Sequence, residues 1–260
     1  MNSWIPTQTY DVLQAKRRLL LMHYSSGVGH IGGNLSCLDA LLVVFNEYLG
    51  SADRFVLSKG HSAGALYVAL WSAGLLEDSD LETFHGDGTL LAGHPPSFGV
   101  PKIDFATGSL GHGFSLAAGL AFGARMKGQE SNVVCLTSDG EWQEGSTWEA
   151  LIFAAHHRLE NLTVLVDQNG LQGFGTTSEV ASMPSLSDRL VGFDVAVIEI
   201  DGHDRTAISE ALALARARLT VVVLRTVKGH GVSFMENQLE WHYLPLTEEL
   251  VRQALDELAG

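Results

Sequence analysis

Apolar runs of strand length, separated by helical patterns, constrain the fold of this 260-residue chain more than any other feature of its sequence. The runs are continuous and do not alternate with polar residues, which is typical of strands covered on both faces. Strands that alternate with helices favour a parallel sheet. We therefore predict an α/β fold, a doubly wound and mainly parallel sheet with helices on both faces. The predicted strands are residues 53–58, 132–138, 161–167, 193–201 and 219–226.

Helical patterns fill the intervals between these strands. No internal repeat, low-complexity tract or Pro/Ser-rich linker divides the sequence, so residues 1–260 are interpreted as one domain. The second helix is predicted to begin near Asn34 or Ser36, with Asp39 completing a capping-box pattern. The predicted helices lie near residues 7–24, 35–49, 62–74, 112–127, 146–159, 185–191 and 204–217.

Charge and composition exclude several classes of partner. The formal net charge of −14 argues against nucleic acid, because binding to nucleic acid depends on basic surface. No apolar run is long enough to span a membrane. Cys37 and Cys135 lie in apolar segments without metal-ligand spacing, which indicates two buried thiols in a reducing compartment. We expect a cytoplasmic protein with neither a nucleic-acid nor a membrane partner.

Two polar residues, each followed by glycine, come directly after neighbouring predicted strands. Asp139-Gly140 follows the second strand, and Asn169-Gly170 follows the third. The carboxyl ends of parallel strands meet at one edge of a sheet, so these pairs are expected to lie side by side. Carboxylate, amide and carbonyl oxygens suit Mg²⁺, and Gly140 lets a backbone N–H approach a diphosphate. Each pair alone is an ordinary turn signal, but together they favour a metal–diphosphate site.

The segment SDGEWQEGSTWEALIFAAHHRLENLTVLVDQNG resembles the thiamine diphosphate-binding motif, which begins Gly-Asp-Gly and ends in an Asn, here Asn169, 30 residues after Asp139. Four further segments resemble transketolases in the expected order: SSGVGHIGGNLS, LSKGHSAGALYVAL, GHPP and TGSLGHG. The resemblance covers nearly the whole chain and implies the N-terminal, diphosphate-binding part of a transketolase. Ser138 replaces the first glycine of the motif. His112 stands where many full-length relatives have Gln. In having His there, the chain resembles the split transketolases, whose two halves are separate chains.

The resemblance also implies which residues hold the cofactor, thiamine diphosphate, and its metal. The loop GSLG is expected to lie against the aminopyrimidine ring, with its glycines allowing a close approach. The implied ligands of Mg²⁺ or Ca²⁺ are Asp139, Asn169 and the carbonyl of Leu171. The residues implied in cofactor binding are His61, Gly108, Leu110, His112, Gly140, Asn169 and His242.

Three histidines and one glutamate are implied in the reaction. Ketol transfer needs proton transfers at a sugar hydroxyl and a carbonyl, and histidine suits both tasks near neutral pH. The resemblance implies that His30, His94 and His242 form hydrogen bonds with substrate oxygens. Glu144 is implied in a hydrogen-bonded carboxylate link to the other half of the enzyme, with Glu149 close by at the same contact.

The resemblance further implies a partner subunit. Transketolases carry the glutamate that activates the pyrimidine ring in a second domain, and after His242 this sequence has room for one further helix. We therefore expect a second subunit with the pyrimidine-binding domain, in an α₂β₂ heterotetramer that acts on sugar phosphates. Two alternatives stay open. One is a subunit of another thiamine diphosphate enzyme, such as a 2-oxo acid dehydrogenase α-subunit or an acyloin-forming carboligase, and the other is a non-enzymatic scaffold. Tyr243, where relatives often have Gly or a basic residue, leaves substrate preference open.

Overall fold

A computed structural model describes residues 10–183 and 185–259, and a parallel sheet of five strands lies at its centre. Each of the five predicted strands is present, with its ends displaced by at most three residues. In chain order the strands are β1 (Arg54–Leu57), β2 (Val133–Ser138), β3 (Leu162–Gln168), the hairpin strands β4 (Leu171–Gln172) and β5 (Gly175–Thr176), β6 (Ala196–Asp201) and β7 (Thr220–Arg225).

The sheet has the strand order β1-β2-β3-β7-β6, and its neighbouring strands are parallel. Among residues 10–183 and 185–259, no helix combines the length and apolar character that a bilayer span requires. The first predicted helix started at residue 7, which lies outside the described residues. The helices are α1 (Val12–Ser26), α2 (Ile31–Val43), α3 (Ala63–Ser72), α4 (Asp78–Leu81), α5 (Gly113–Met126), α6 (Gly145–His156), α7 (Thr177–Val180), α8 (Leu186–Leu190), α9 (Arg205–Ala215) and α10 (Glu248–Glu257).

Helices cover both faces of the sheet, as the continuous apolar strands predicted. In β2, Val134 and Leu136 face a core shared with α1, α2, α3 and α9. Val133 and Cys135 alternate with them and face a second core, built with α5 and α6. Successive residues of a strand point to opposite faces, so a strand buried on both sides is apolar throughout. The prediction of a doubly wound α/β fold is confirmed.

The predicted start of the second helix was wrong. Helix α2 begins at Ile31, with His30 at its N-cap in the left-handed conformation at φ 66°. Ser36 lies inside the helix, where its hydroxyl donates to the Gly33 carbonyl and to the buried carboxylate of Asp167. Asp39 pairs with a histidine of another element instead of completing a cap. Tertiary partners therefore hold the polar side chains that the local pattern assigned to helix capping.

The strand order reverses between β3 and β7. The connection from β2 through α6 to β3 and that from β6 through α9 to β7 advance in opposite directions across the sheet. Accordingly α6 and α9 lie on opposite faces, as right-handed crossovers require. At such a reversal a crevice forms beyond the carboxyl ends of the strands, and ligands of open α/β sheets bind there.

Candidate functional site at the carboxyl edge of the sheet

Asp139-Gly140, which follows β2, and Asn169-Gly170, which follows β3, lie side by side at the carboxyl edge of the sheet. One carboxylate oxygen of Asp139 accepts a hydrogen bond from the N–H of Gly140 at 2.8 Å. The other accepts from the N–H of Gly170 at 2.6 Å, so Asp139 directly contacts the residue after Asn169. The structure therefore brings together the predicted metal ligands Asp139 and Asn169, although their role as ligands stays a prediction.

Asn169 and Leu171 belong to the loop that enters the β4–β5 hairpin. The side-chain oxygen of Asn169 accepts from the N–H of Leu171 at 3.0 Å, and its amide nitrogen donates to Asp167 at 3.3 Å. With Asp139, this loop offers a carboxylate, an amide oxygen and backbone carbonyls. Such hard oxygen donors fit Mg²⁺ or Ca²⁺ by their chemistry.

The buried carboxylate of Asp139 is suited to a cation. Burial, reinforced by the nearby Asp167 carboxylate, raises the pKa of Asp139 to about 6, against the two backbone hydrogen bonds that lower it. A divalent cation beside this group would stabilise its ionised form. At the same place, a Cβ atom on Gly140 would lie 2.7 Å from the side-chain oxygen of Gln172, so a side chain of the β4–β5 hairpin packs against this glycine. The residues present therefore fit a divalent metal, and the positive charge of Lys228 near Asp139 suits a diphosphate.

Two buried lysines at this edge were not predicted from the sequence. Lys59 follows β1, is completely buried, and donates to the carboxylate of Asp167 and to the Gly33 carbonyl. Lys228 follows β7 and lies 2.8 Å from Nδ1 of His242. Burial and the charge of Lys59 lower the pKa of Lys228 to about 8. A signal was present, because each lysine stands directly before a Gly-His pair.

Four histidines predicted at the site meet beside these lysines. The ring of His30 lies 5.6 Å from that of His61, 6.4 Å from that of His94 and 5.1 Å from that of His242, measured between centroids. The rings of His61 and His242 are 5.6 Å apart. We call these four residues the histidine cluster.

The histidine cluster is neutral near pH 7. Burial is the main cause that lowers the pKa of each of the four imidazoles. For His242, burial together with the charges of Lys228 and His30 lowers the pKa to about 3. Neutral imidazoles each offer one donor and one acceptor nitrogen, which suits recognition of sugar hydroxyl groups. His30 is held in place by its own backbone, because its N–H donates to the His242 carbonyl at 3.2 Å.

The glycine-rich loop, residues 107–111, precedes α5 and contacts the histidine cluster through Gly108. Gly108 has a φ of 143°, and a Cβ atom there would lie 2.7 Å from Cδ2 of His94. Both the conformation and the contact therefore require glycine. Leu110 is half-buried, whereas His112 is exposed at the N-cap of α5 and its Nδ1 lies 3.0 Å from the Leu110 carbonyl. The structure places the ring of His112 at the surface.

Glu144 and Glu149 are exposed at the start of α6. Glu144 packs against the glycine-rich loop, since a Cβ atom on Gly111 would lie 2.8 Å from Cβ of Glu144. Exposure leaves both carboxylates accessible to a partner chain, and their interface role stays a prediction.

A second group of potential metal ligands lies near β6 and β7. Nδ1 of His203 lies 3.0 Å from a carboxylate oxygen of Asp39, and its Nε2 accepts from the N–H of Val227 at 2.9 Å. Its ring stacks on that of His230 with centroids 3.5 Å apart. Because both nitrogens of His203 are engaged, the group ties α2 to the loops after β6 and β7.

Comparison with known proteins agrees with this geometry. The family model described as the transketolase thiamine diphosphate-binding domain matches residues 13–259. The chain is 36% identical over 256 residues to one of the subunits of the apulose-4-phosphate transketolase of Phocaeicola vulgatus, covering 94% of this chain and 91% of that protein. It is 37% identical over 244 residues to the 6-deoxy-6-sulfo-D-fructose transketolase subunit SqwG of a Clostridium species, covering 89% of both.

Single-chain transketolases match over a smaller part of their length. Human transketolase is 36% identical over 247 residues, which cover 90% of this chain and 39% of that protein. The solved transketolase from Leishmania mexicana superposes with a TM-score of 0.86 at 27% identity, over 97% of this chain and 42% of that one. These relatives are transketolases, which confirms the resemblance found in the sequence. The chain therefore belongs to the transketolase family and corresponds to its thiamine diphosphate-binding domain.

Proposed function

We propose that this chain is the diphosphate- and metal-binding subunit of a two-component transketolase, which transfers a two-carbon ketol unit from a ketose phosphate donor to an aldose acceptor. One observation carries the proposal. The metal-type oxygen donors around Asp139, the buried lysines and the histidine cluster converge at the reversal between β3 and β7. The proposal therefore assigns anion binding, metal binding and sugar recognition to one crevice.

The chain's own residues would hold thiamine diphosphate by its charged end. Asp139, Asn169 and the Leu171 carbonyl would hold Mg²⁺ or Ca²⁺, which would supply positive charge for the diphosphate. Gly140 would lie beside the diphosphate, as the sequence motif implies, and Lys228 supplies a positive charge nearby. When bound, the cofactor supplies the carbanion-stabilising chemistry that ketol transfer requires.

The histidine cluster would orient the sugars and move protons at their oxygens. His30 is half-buried and His94 is exposed, and we place both neutral imidazoles on the open side of the crevice. Nδ1 of His242 accepts from the ammonium of Lys228, which leaves Nε2 protonated as a donor toward a substrate oxygen. The lysine thereby fixes the tautomer of His242.

The partner and the compartment are also proposals. Relatives that this chain matches over at least 89% of their length are named as subunits, which supports a second subunit with the pyrimidine-binding domain. We place two copies of each in an α₂β₂ assembly, since two-fold symmetry is the commonest arrangement of soluble oligomers. The buried free thiols of Cys37 and Cys135 support a cytoplasmic location.

Isotope transfer tests the proposed reaction. The chain is purified with its second subunit and incubated with thiamine diphosphate, Mg²⁺, an aldose and ketose phosphates labelled with ¹³C at C1 and C2. We expect both labelled carbons to appear together in the ketose formed from the acceptor. Consumption of the donor without label in that product would contradict ketol transfer and favour another thiamine diphosphate reaction.

A further inference from the structure

Glu141 is a buried carboxylate that none of the proposed chemistry uses. Its side chain is completely excluded from solvent. One carboxylate oxygen accepts from the hydroxyl of Ser58 and from the N–H of Gly111, the latter at 2.7 Å. The other accepts from the N–H of Ser138 at 3.3 Å. A single side chain therefore joins the ends of β1 and β2 to the glycine-rich loop.

The turn that carries Glu141 also carries the diphosphate end of the site. A short 3₁₀ turn over Gly140–Gln143 begins directly after Asp139. The hydroxyl of Thr147 donates to the Glu141 carbonyl at 2.8 Å, and the ring of Trp142 is buried beneath the turn. Packing and hydrogen bonds thus hold Asp139, Gly140 and Glu141 as one rigid piece.

The glycine-rich loop is fastened at two points. The hydroxyl of Thr107 donates to the Leu57 carbonyl at 2.6 Å, which anchors the beginning of the loop to β1. The hydrogen bond from Gly111, whose φ is 81°, anchors its end to Glu141. Gly108 and Leu110 lie between these two points, where the cofactor ring is expected.

We propose that Glu141 is a positioning residue that sets the distance between the diphosphate end of the site and the loop that contacts the cofactor ring, an inference that rests on the proposed function. A carboxylate suits this task because both its oxygens accept hydrogen bonds. Glutamine in the same place has one acceptor oxygen, and its NH₂ group would face the Ser138 donor. Alanine would leave the N–H of Gly111 without this partner.

Thiamine diphosphate and inorganic diphosphate share the diphosphate group, but only the first has a ring. Comparing their affinities therefore distinguishes positioning of the ring-binding loop from general support of the fold. The assembled enzyme is titrated with thiamine diphosphate and with inorganic diphosphate, each with Mg²⁺, in wild type, Glu141→Gln and Glu141→Ala. We expect affinity for thiamine diphosphate to fall roughly ten-fold or more, as for loss of a charge-assisted hydrogen bond, and further in the alanine variant than in the glutamine variant. Affinity for inorganic diphosphate should fall much less, because the Thr147 hydrogen bond and the buried Trp142 ring still hold the turn that carries Asp139.

Matched controls complete the design. Glu160→Gln removes an exposed carboxylate and leaves both affinities as in wild type. Ser58→Ala removes one donor to Glu141 without changing its charge, so it gives a smaller loss in the same direction even if the glutamate variants do not fold.

The outcomes distinguish the inference from the function on which it rests. An equal loss of affinity for both ligands, or no loss in Glu141→Ala and Ser58→Ala, would overturn the positioning role. Failure of the wild-type assembly to bind thiamine diphosphate would instead overturn the proposed function.

Discussion

The ammonium group of Lys59 and the carboxylate of Asp167 form an ion pair in the interior, where the two side chains are 1% and 0% exposed. Ser36 also donates to this carboxylate, at 2.6 Å, and Thr226 donates to its other oxygen. The pair thereby joins α2 and the ends of β1, β3 and β7 directly beneath the candidate site. Burial opposes ionisation of Asp167, but the positive charge of Lys59 and hydrogen bonds to the carboxylate hold its pKa below the ordinary value. Burial likewise opposes the charge of Lys59, but Asp167 raises its pKa, so both partners are charged at neutral pH.

Removing one partner of this pair should strongly destabilise the fold. Lys59→Met leaves the Asp167 carboxylate buried without its counter-charge, which we expect to lower the free energy of unfolding by about 3–5 kcal/mol. Urea denaturation followed by circular dichroism measures the change. The control is Arg218→Met, which breaks the exposed pair with Asp194 at 3.5 Å and should lower stability by less than about 1 kcal/mol. Similar losses in the two variants would contradict the argument.

The metal site predicts an effect on cofactor binding. Asp139→Ala removes the carboxylate between the loops after β2 and β3, and we expect Mg²⁺-dependent binding of thiamine diphosphate to be abolished in the assembled enzyme. Isothermal titration calorimetry with and without Mg²⁺ measures it. Asp87→Ala, at an exposed position, serves as the control. Undiminished binding by Asp139→Ala would exclude this residue as a metal ligand.

The histidine cluster predicts losses of activity without losses of stability. His30→Ala, His94→Ala and His242→Ala should each lower turnover by roughly 10²–10⁴, as for removal of a positioned acid–base group. Steady-state kinetics with a ketose phosphate donor and an aldose acceptor measure turnover, and thermal melting reports stability. The exposed His156→Ala should keep wild-type activity. Near-normal turnover in all three variants would place the cluster outside the active site.

Activity should depend on the second subunit. We expect this chain alone, with thiamine diphosphate, Mg²⁺ and sugar phosphates, to show no sustained turnover, because the proposed partner supplies the glutamate that activates the pyrimidine ring. Adding that subunit should restore turnover, with a mass by light scattering that equals two copies of each chain. Sustained turnover by this chain alone is the result that would contradict a two-component enzyme.

A buried histidine predicts how stability changes with pH. Burial lowers the pKa of His23 to about 4, against the hydrogen bond with the Leu19 carbonyl that raises it. Between the unfolded pKa of about 6.5 and the folded value, the unfolded state binds more protons. The free energy of unfolding is therefore not reduced by His23 above about pH 6.5. As the pH falls from there toward 4 and below, protonation of His23 in the unfolded state lowers this free energy by about 3 kcal/mol.

Denaturation midpoints measured between pH 7 and 4 test this dependence. His23→Gln cannot titrate in this range, so its stability should fall less steeply on acidification than that of wild type. The exposed His156→Gln should retain the wild-type slope. Equal slopes in wild type and His23→Gln would show that another group controls the acid response.

Part of the candidate site was predictable because its signals are local. Asp139 and Asn169 each follow a buried strand, and parallel strands bring their carboxyl ends to one edge. Glu141 was not predicted from the sequence, although it lies two residues from Asp139. Its partners Gly111 and Ser58 are 30 and 83 residues away in the chain, and no periodicity relates them.

The sequence by itself determined the parallel sheet, because strands buried on both faces must be apolar along their whole length, as Val133 to Leu136 are in β2. Only the tertiary structure decided which buried polar groups pair with each other. Lys59 and Asp167 are 108 residues apart in the chain, and each would read as a surface residue on its own. A buried charge is stable only beside its partner, and that partner is defined by the packing of β1 and β3 onto α2, not by the local sequence.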